Sequence, residues 1–279
     1  MTRPPVTLGP AGYAYVRGLV RDRAAIVLED GKEYLVEARL TPVARREGFG
    51  SLEEFIQRLR SQPCGPLHRK AVEAMTINET SFFRDWRPFE ALRKSVLPEV
   101  LARNAALKSL HVWSAASSSG QEAYSLAILL KEHFPEVAAG WNVKVHGSDV
   151  STEMVERSRA GRYLQVEVNR GMPAPLLVKH FDRTGLDWLV KDDVKKLVEF
   201  QQGNLAGDWP QLPRMDVILL RNVMIYFDAD TKKRILQRMR GLLKPGGLLF
   251  LGVAETTLNL DSAYERLTAE GTSFYRAPL

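Results

Sequence analysis

The 279 residues are 45% apolar and 26% charged, a balance that excludes a disordered or collagenous chain and leaves ample material for a core. Thirty-nine basic against 33 acidic residues give a formal charge of +6, which admits nucleic acid, an anionic membrane surface or an acidic protein as partner. The basic residues are interleaved with acids, however, and form no long run or aromatic-interleaved stripe, so a solvated surface accounts for them equally well.

The single cysteine, Cys64, excludes an internal disulfide and a cysteine metal cluster and fits a reducing compartment. Met1-Thr2-Arg3-Pro4-Pro5 lacks the apolar run of a signal peptide, and no stretch approaches the ~20 apolar residues of a membrane span. The expectation is a cytoplasmic protein with no membrane insertion and no metal.

The first third of the chain reads as helices. Tyr13, Val16 and Val20 share one face, and Ser51-Leu52-Glu53-Glu54 forms a capping box ahead of Leu52, Phe55, Ile56 and Leu59. Gln62-Pro63-Cys64-Gly65-Pro66 interrupts the pattern, and a further helix from about His68 to Met75 leads toward Asn78. The boundaries expected are a helical domain over 1–75, a linker with a helix over 76–108, and an α/β domain over 109–279.

From residue 109 short apolar runs alternate with helical stretches, the pattern of a mostly parallel sheet with crossover helices. Strands are expected at Leu110–Trp113, Val143–His146, Val217–Leu220 and Leu248–Leu251, the last behind the turn Lys244-Pro245-Gly246-Gly247. Helices are expected at Gln121–His133 and Asp230–Leu243, and a short one after Ser151, its N-cap. Trp188–Val190 and Lys196–Phe200 fit the alternation less well and read as antiparallel strands of an insertion over about 180–202.

The turn from Ser114 to Gly120 is almost wholly small, so a ligand can approach backbone at the carboxyl edge of the sheet. A tight strand-to-helix turn explains the same composition. With one glycine it is not the dinucleotide fingerprint, and no phosphate-cradling Lys follows. Asp149 ends the next strand, where an acid accepts bonds from ribose hydroxyls or caps a turn. Together the two features favour an adenosine ligand without phosphates, such as S-adenosylmethionine.

Three segments carry a resemblance to a known family: Asn78-Glu79-Thr80-Ser81-Phe82-Phe83-Arg84-Asp85, Val112-Trp113 with the small-residue turn to Gly120, and Arg221-Asn222-Val223-Met224-Ile225-Tyr226-Phe227. The chain resembles the CheR-type methyltransferases from about Tyr13 to Tyr275, with Ala25–Leu28 and Arg39-Leu40 included. The resemblance implies a class I, Rossmann-like α/β domain with a small antiparallel insertion behind an all-helical domain. It also implies S-adenosylmethionine as cofactor, S-adenosylhomocysteine as product, and glutamates in the cytoplasmic helical region of chemoreceptors as methyl acceptors.

By matching position the resemblance implies cofactor contacts from Asn78, Thr80, Arg84, Glu122, Asp149, Asn204, Leu205, Asn222 and Val223. It implies a catalytic pair in Arg84 and Tyr226. The residues themselves leave other roles open: a dipole-complementing acid for Glu122, an Asx-turn for Asn204, a domain-junction ion pair for Arg84, a half-buried aromatic for Tyr226. Phe82 and Phe83 read as core.

A glutamate acceptor has a pKa of about 4.3 and is ionised at neutral pH, so no general base is required. Alignment with the methyl donor is then the main task, and good orientation supplies up to about 7–11 kcal/mol. Arg84 can pair with the carboxylate in a fork and Tyr226 can donate one hydrogen bond.

The chain departs from the family in three places. It has Gly120-Gln121-Glu122-Ala123-Tyr124 where Gly-Glu-Glu-Pro-Tyr is usual, which keeps Glu122 but changes how the helix begins. The receptor-reading basic helix keeps Arg39, Arg45 and Arg46 but has Pro42 and Val43 where further basic residues are common, which puts docking strength and partner choice in question. The stretch from His180 to Asp187 is shorter than the loop that grips a receptor's carboxyl-terminal pentapeptide, so no such tether is expected. Nothing in the sequence demands more than a monomer. A non-catalytic module binding S-adenosylmethionine or S-adenosylhomocysteine is the alternative; a nucleic-acid methyltransferase is disfavoured because its Asn/Asp-Pro-Pro-aromatic or cysteine signature is absent.

Overall fold

The computed structural model describes residues 8–279, so the Met1–Pro5 stretch and the start of the expected 1–75 domain lie outside the described residues. Contacts divide the chain into two units: residues up to Ile77 with Tyr226–Asp228, and Asn78–Ile225 with Ala229–Leu279.

The first unit is helical, with α1 (Pro10–Ala24), α2 (Glu33–Arg46), α3 (Leu52–Ser61) and α4 (Pro66–Met75). Pro10 opens α1 where its missing N–H is not needed, and Tyr13, Val16 and Val20 recur at helical spacing to bury against Leu40, Phe55 and Ile56. Ser51 caps α3, its Oγ accepting from Glu54 N at 3.1 Å. The return arm of the box lands one residue early, Gly50 N donating to the Glu54 carboxylate at 2.9 Å. Arg39 is turned inward: its Nη1 donates to Met75 O at 2.7 Å and Thr76 O at 3.1 Å, satisfying carbonyls at the end of α4. Tyr226 joins this unit through its carbonyl, which accepts from Val27 N at 2.9 Å.

The second unit opens with α5 (Arg87–Ala91) and α6 (Leu97–Arg103), joined by a π-helical turn over Leu92–Val96. Then follow β1 (Ser109–Ala115), α7 (Gln121–His133), α8 (Pro135–Gly140), β2 (Asn142–Asp149) and α9 (Thr152–Ala160). The insertion contains β3 (Arg162–Leu164), α10 (Gln165–Val168), α11 (Ala174–His180), β4 (Phe181–Thr184) and β5 (Asp187–Val190). The chain ends with α12 (Asp192–Lys195), β6 (Val198–Gln202), β7 (Met215–Leu220), α13 (Ala229–Leu242), β8 (Leu243–Leu251), β9 (Glu265–Ala269) and β10 (Thr272–Arg276).

The main sheet has the order β6-β2-β1-β7-β8-β10-β9. The first five strands are parallel, and β10 runs antiparallel to both β8 and β9. Its near-continuous apolar strands, with Val112, Val145, Val217, Leu219, Leu248 and Phe250 buried, are those of a sheet covered on both faces. This is the mostly parallel sheet expected from the alternating texture and the Rossmann-like architecture that the family resemblance implies. The chain moves outward from β1 through β2 to β6 on one side and from β7 through β8 on the other, so the order reverses between β1 and β7, where open α/β sheets place ligands.

One expectation is corrected. Val198–Gln202, placed in the antiparallel insertion of about 180–202, is an edge strand of the main sheet, parallel to β2 with Val145 opposite Val198 and Asp149 opposite Gln202. The reason is side-chain volume: Phe200 fills the space over Gly147, where a Cβ would lie 2.4 Å from its ring. The insertion is instead the separate sheet β3-β5-β4, and it begins at Arg162. Among the described residues no helix is long and apolar enough to cross a membrane, and no cluster of His, Cys, Asp and Glu could hold a metal ion.

Candidate active site

The turn after β1 takes left-handed backbone at Ala116 (φ 57°), Ser118 (φ 49°) and Gly120 (φ 92°). Two of these are not glycine, a strain of order 1–3 kcal/mol each that surrounding bonds must hold. Ser117 N donates to Ser148 O at 2.8 Å, and Ser118 Oγ donates to Asn78 O at 2.8 Å. Tyr163 Oη reaches up from β3 to Ser119 O at 2.6 Å, and Tyr124 Oη donates to Ser158 O at 2.7 Å. Burial raises both phenols above their ordinary range, so they stay neutral donors. At Gly120 a Cβ would stand 2.9 Å from the Phe200 ring, so both the space and the φ require glycine.

The two acids at this edge are each braced. Asp149 is buried, its Oδ2 accepting from Ser118 N and its Oδ1 from Ser151 N, both at 2.9 Å, so it ties the turn after β1 to the start of α9. Glu122, in the first turn of α7, accepts from Ser114 Oγ at 2.8 Å and from Arg221 Nη1 at 2.8 Å.

Arg221 is the hub. Its side chain is 1% exposed, and besides Glu122 it donates through Nη2 to Asp85 Oδ2 at 2.7 Å and Arg84 O at 2.8 Å, with Phe89 beneath the guanidinium. A fully buried guanidinium is tolerable only with such partners. One side chain thereby joins β7, α7 and the segment containing Arg84.

That segment is contorted, with φ of 47° at Phe83, 66° at Asp85 and 41° at Trp86. Phe82 and Phe83 are core, as read: Phe82 packs edge-on against Tyr163 and Phe181 at 5.0 and 5.5 Å, and Phe83 N donates to Ser125 Oγ at 2.9 Å. Arg84 itself is half-buried and donates to Glu79 O at 2.9 Å. Glu79 pairs with Arg170 at 2.7 Å, which holds its carboxyl below the usual range. Thr80 is half-buried in the same segment.

After β7 the loop is shaped by Glu255. Its carboxylate accepts from Gly252 N at 2.6 Å, Asn222 N at 2.9 Å, Met224 N at 2.7 Å and Ile225 N at 3.3 Å, and it holds Asn222 at φ 59°. Asn222 and Val223 are half-buried, and Leu205 is buried. Asn204 makes an Asx-turn, its Oδ1 accepting from Ala206 N at 3.0 Å. Three hydrogen-bonded groups thus hold the edge: Ser118 joins Asn78 to Asp149, Arg221 joins Glu122 to the backbone of Arg84, and Glu255 fixes Asn222, whereas Tyr226 belongs to the helical unit.

Sequence reasoning placed Arg221 in a family-bearing segment but gave it no role, and it passed over Glu255 and Tyr163. The residue-level sign of a partnered Arg221 was its position directly after a wholly apolar strand, where a charge needs a partner. Ser117 Oγ, in the turn after β1, is buried without a hydrogen-bond partner. A small turn offering a spare hydroxyl, with two acids at the sheet edge, fits the adenosine and amino-acid parts of S-adenosylmethionine.

The parallel sheet with its antiparallel β10 and this edge define a class I, S-adenosylmethionine-binding methyltransferase. The chain belongs to the CheR methyltransferase family: residues 78–272 match the model described as "CheR methyltransferase, SAM binding domain" and residues 11–76 match "CheR methyltransferase, all-alpha domain". It is 39% identical over 272 residues to Chemotaxis protein methyltransferase 1 of Pseudomonas aeruginosa, covering 96% of this chain and 98% of that one. It is 36% identical to Chemotaxis protein methyltransferase Cher2 of Pseudomonas putida, over 98% of this chain and all of that one. Among solved structures the glycopeptide N-methyltransferase MtfA overlaps 68% of this chain and 80% of its own at 15% identity, with a TM-score of 0.35, and no argument rests on it.

Proposed function

We propose that this methyltransferase esterifies glutamate side chains in the cytoplasmic helical region of chemoreceptors. The observation that carries the reading is the Arg221 bridge, which ties Glu122, assigned here to the cofactor, to the backbone of Arg84, assigned to the substrate. Family membership supports the same acceptor.

In this reading Asp149 and Glu122 hold the cofactor's hydroxyl and amino-acid groups, with Asn78, Thr80, Asn204, Leu205, Asn222 and Val223 around it. When bound, S-adenosylmethionine supplies a sulfonium methyl that a carboxylate oxygen can take, leaving S-adenosylhomocysteine. The acceptor arrives ionised, so the protein moves no proton. Arg84 holds the carboxylate in a fork, Tyr226 donates one hydrogen bond to it, and both position it rather than activate it.

The receptor partner is read through the helical unit, where Arg45 and Arg46 are exposed on α2 while Arg39 is committed to the end of α4. No pentapeptide tether is included. Gly185 and Leu186 alone join β4 to β5, with Thr184 paired to Asp187, and a two-residue hairpin leaves no loop to grip a peptide. The protein acts in the cytoplasm as a monomer.

The test is transfer of labelled methyl to cytoplasmic fragments of the host's chemoreceptors, scored as methanol released by base. Release supports the carboxyl ester. Cofactor binding without transfer to any receptor would favour the non-catalytic module, and salt-sensitive binding to RNA or DNA would favour the nucleic-acid enzyme.

A further inference from the structure

Two clefts adjoin each other in the carboxyl-terminal part of the α/β unit. One, of about 500 Å³, lies between the Asp85–Pro88 segment, the loop after β8 and the turn between β9 and β10. The other, of about 760 Å³, is bounded by the loop from Thr256 to Tyr264 and by Lys233 of α13. They share Thr256, Arg266 and Tyr275, and Tyr275 Oη donates to Thr256 Oγ1 at 3.3 Å on their common wall. Together they form one groove.

The charges in that groove are unevenly satisfied. Its three acids are already engaged: Asp85 by Arg221, Glu255 by four backbone amides, and Asp261 by Arg240 at 3.1 Å and Ala263 N at 3.0 Å. Its three cations, Arg87, Arg266 and Lys233, are exposed and make no ion pair among the described residues. Arg266 donates only to Ser273 Oγ, at 2.9 and 3.2 Å. Val253 on the first cleft and Leu258 on the second are 83% and 71% exposed, apolar side chains among the basic ones. Isolated exposed apolar residues are ordinary, but two on the lips of one groove beside unpaired cations make a recognition surface.

We infer that this groove seats an acidic helical segment of the methyl-accepting protein. Arg87, Arg266 and Lys233 take carboxylates near the one being methylated, and Val253 and Leu258 meet the apolar side of the same helix. The inference rests on the proposed glutamate acceptor and deepens it by assigning specificity to the carboxyl-terminal segment. Charge complementarity selects this occupant: acids one helical turn apart lie on one face, within reach of cations spread along a groove. The groove is a specificity element, and no reacting atom is placed in it.

The test is steady-state methyl transfer to a chemoreceptor cytoplasmic fragment by the full chain carrying Arg266→Glu and Lys233→Glu. The expected result is a rise in KM for the fragment of about tenfold or more, with kcat at saturation and S-adenosylmethionine affinity unchanged. Wild-type KM should climb with ionic strength, and the variant should lose part of that dependence. Reversal at Lys144, on β2 far across the sheet, should leave KM unchanged. An unchanged KM in a folded double variant would overturn the inference while leaving the methyltransferase reading intact. So would a variant that loses only self-association, which would give the groove to a second copy. No transfer by the wild type to any fragment would remove the acceptor reading and this inference with it.

Discussion

Arg221 shows how much one buried charge can organise. Its three acceptors come from two distant parts of the chain, 99 residues away at Glu122 and 136–137 away at Asp85 and Arg84. Removing one partner of a buried pair strands the others, at a cost of about 3–5 kcal/mol. Arg221→Gln should therefore lower stability by about 3 kcal/mol in urea unfolding and weaken cofactor binding by calorimetry. Arg221→Lys should recover only part of either, because a point charge cannot span Glu122 and Asp85 as the fork does. Equal stability in wild type and Arg221→Gln would contradict the hub.

At the proposed reacting groups, a hydrogen bond to a charged acceptor contributes about 1.5–3 kcal/mol. Tyr226→Phe is accordingly expected to lower methyl transfer about tenfold or more with cofactor affinity unchanged, and Arg84→Ala to lower transfer further. Normal turnover and unchanged cofactor affinity in both variants would remove the pair. The place of Asp149 at the sheet edge was legible from the sequence, as the acid that ends a strand beside a small-residue turn, and its turn-capping bonds are one of the two uses read for it. Its bonds to Ser118 and Ser151 were not legible, since both donors are backbone amides whose direction depends on the turn. Arg221 and Glu255 were hidden for a related reason, because each acts on partners that only tertiary structure brings near.

Among elements, the parallel strands announced themselves by composition, Val217–Leu220 and Leu248–Leu251 as four apolar residues in a row and the other two as short β-branched or aromatic runs. Val198–Gln202 did not, because alternation with Glu199 and Gln201 matches a half-exposed strand of either sheet. Its place was decided by Phe200 filling the space over Gly147 and Gly120. A similar close fit links the insertion to the segment before α5: Gly171 has φ 92°, and a Cβ there would stand 2.0 Å from Phe82 O. Gly171→Ala must therefore shift the Phe82 backbone, with Phe83 and Arg84 following. It should cost more than the ~1 kcal/mol of a simple left-handed alanine and reduce methyl transfer, both measurable on one preparation. A fully stable, fully active Gly171→Ala would show that this contact does not position the segment.

For the whole molecule, pH acts through the imidazoles between β1 and β2. His111 Nδ1 and His146 Nε2 are 3.3 Å apart, and burial, with His111 alongside, pushes His146 down to about 4. Lys144 lowers it further and Glu199 opposes the shift. The folded state thus keeps this ring neutral where an unfolded chain, near 6.5, has taken a proton. Its effect on stability is flat above about pH 6.5, declines as pH falls toward 4, and levels below that. His146→Gln should lose less of its urea midpoint than wild type between those limits, and parallel losses would contradict the assignment.

The atom that receives the methyl group distinguishes a carboxyl methyltransferase from every other reading. Peptide mapping of a chemoreceptor cytoplasmic fragment, after incubation with S-adenosylmethionine and this protein, addresses it most directly. The expected result is the mass of one methyl on glutamate-containing peptides, lost on mild base treatment. Base-stable methylation on nitrogen, or an unmodified fragment while cofactor binding is intact, would contradict it.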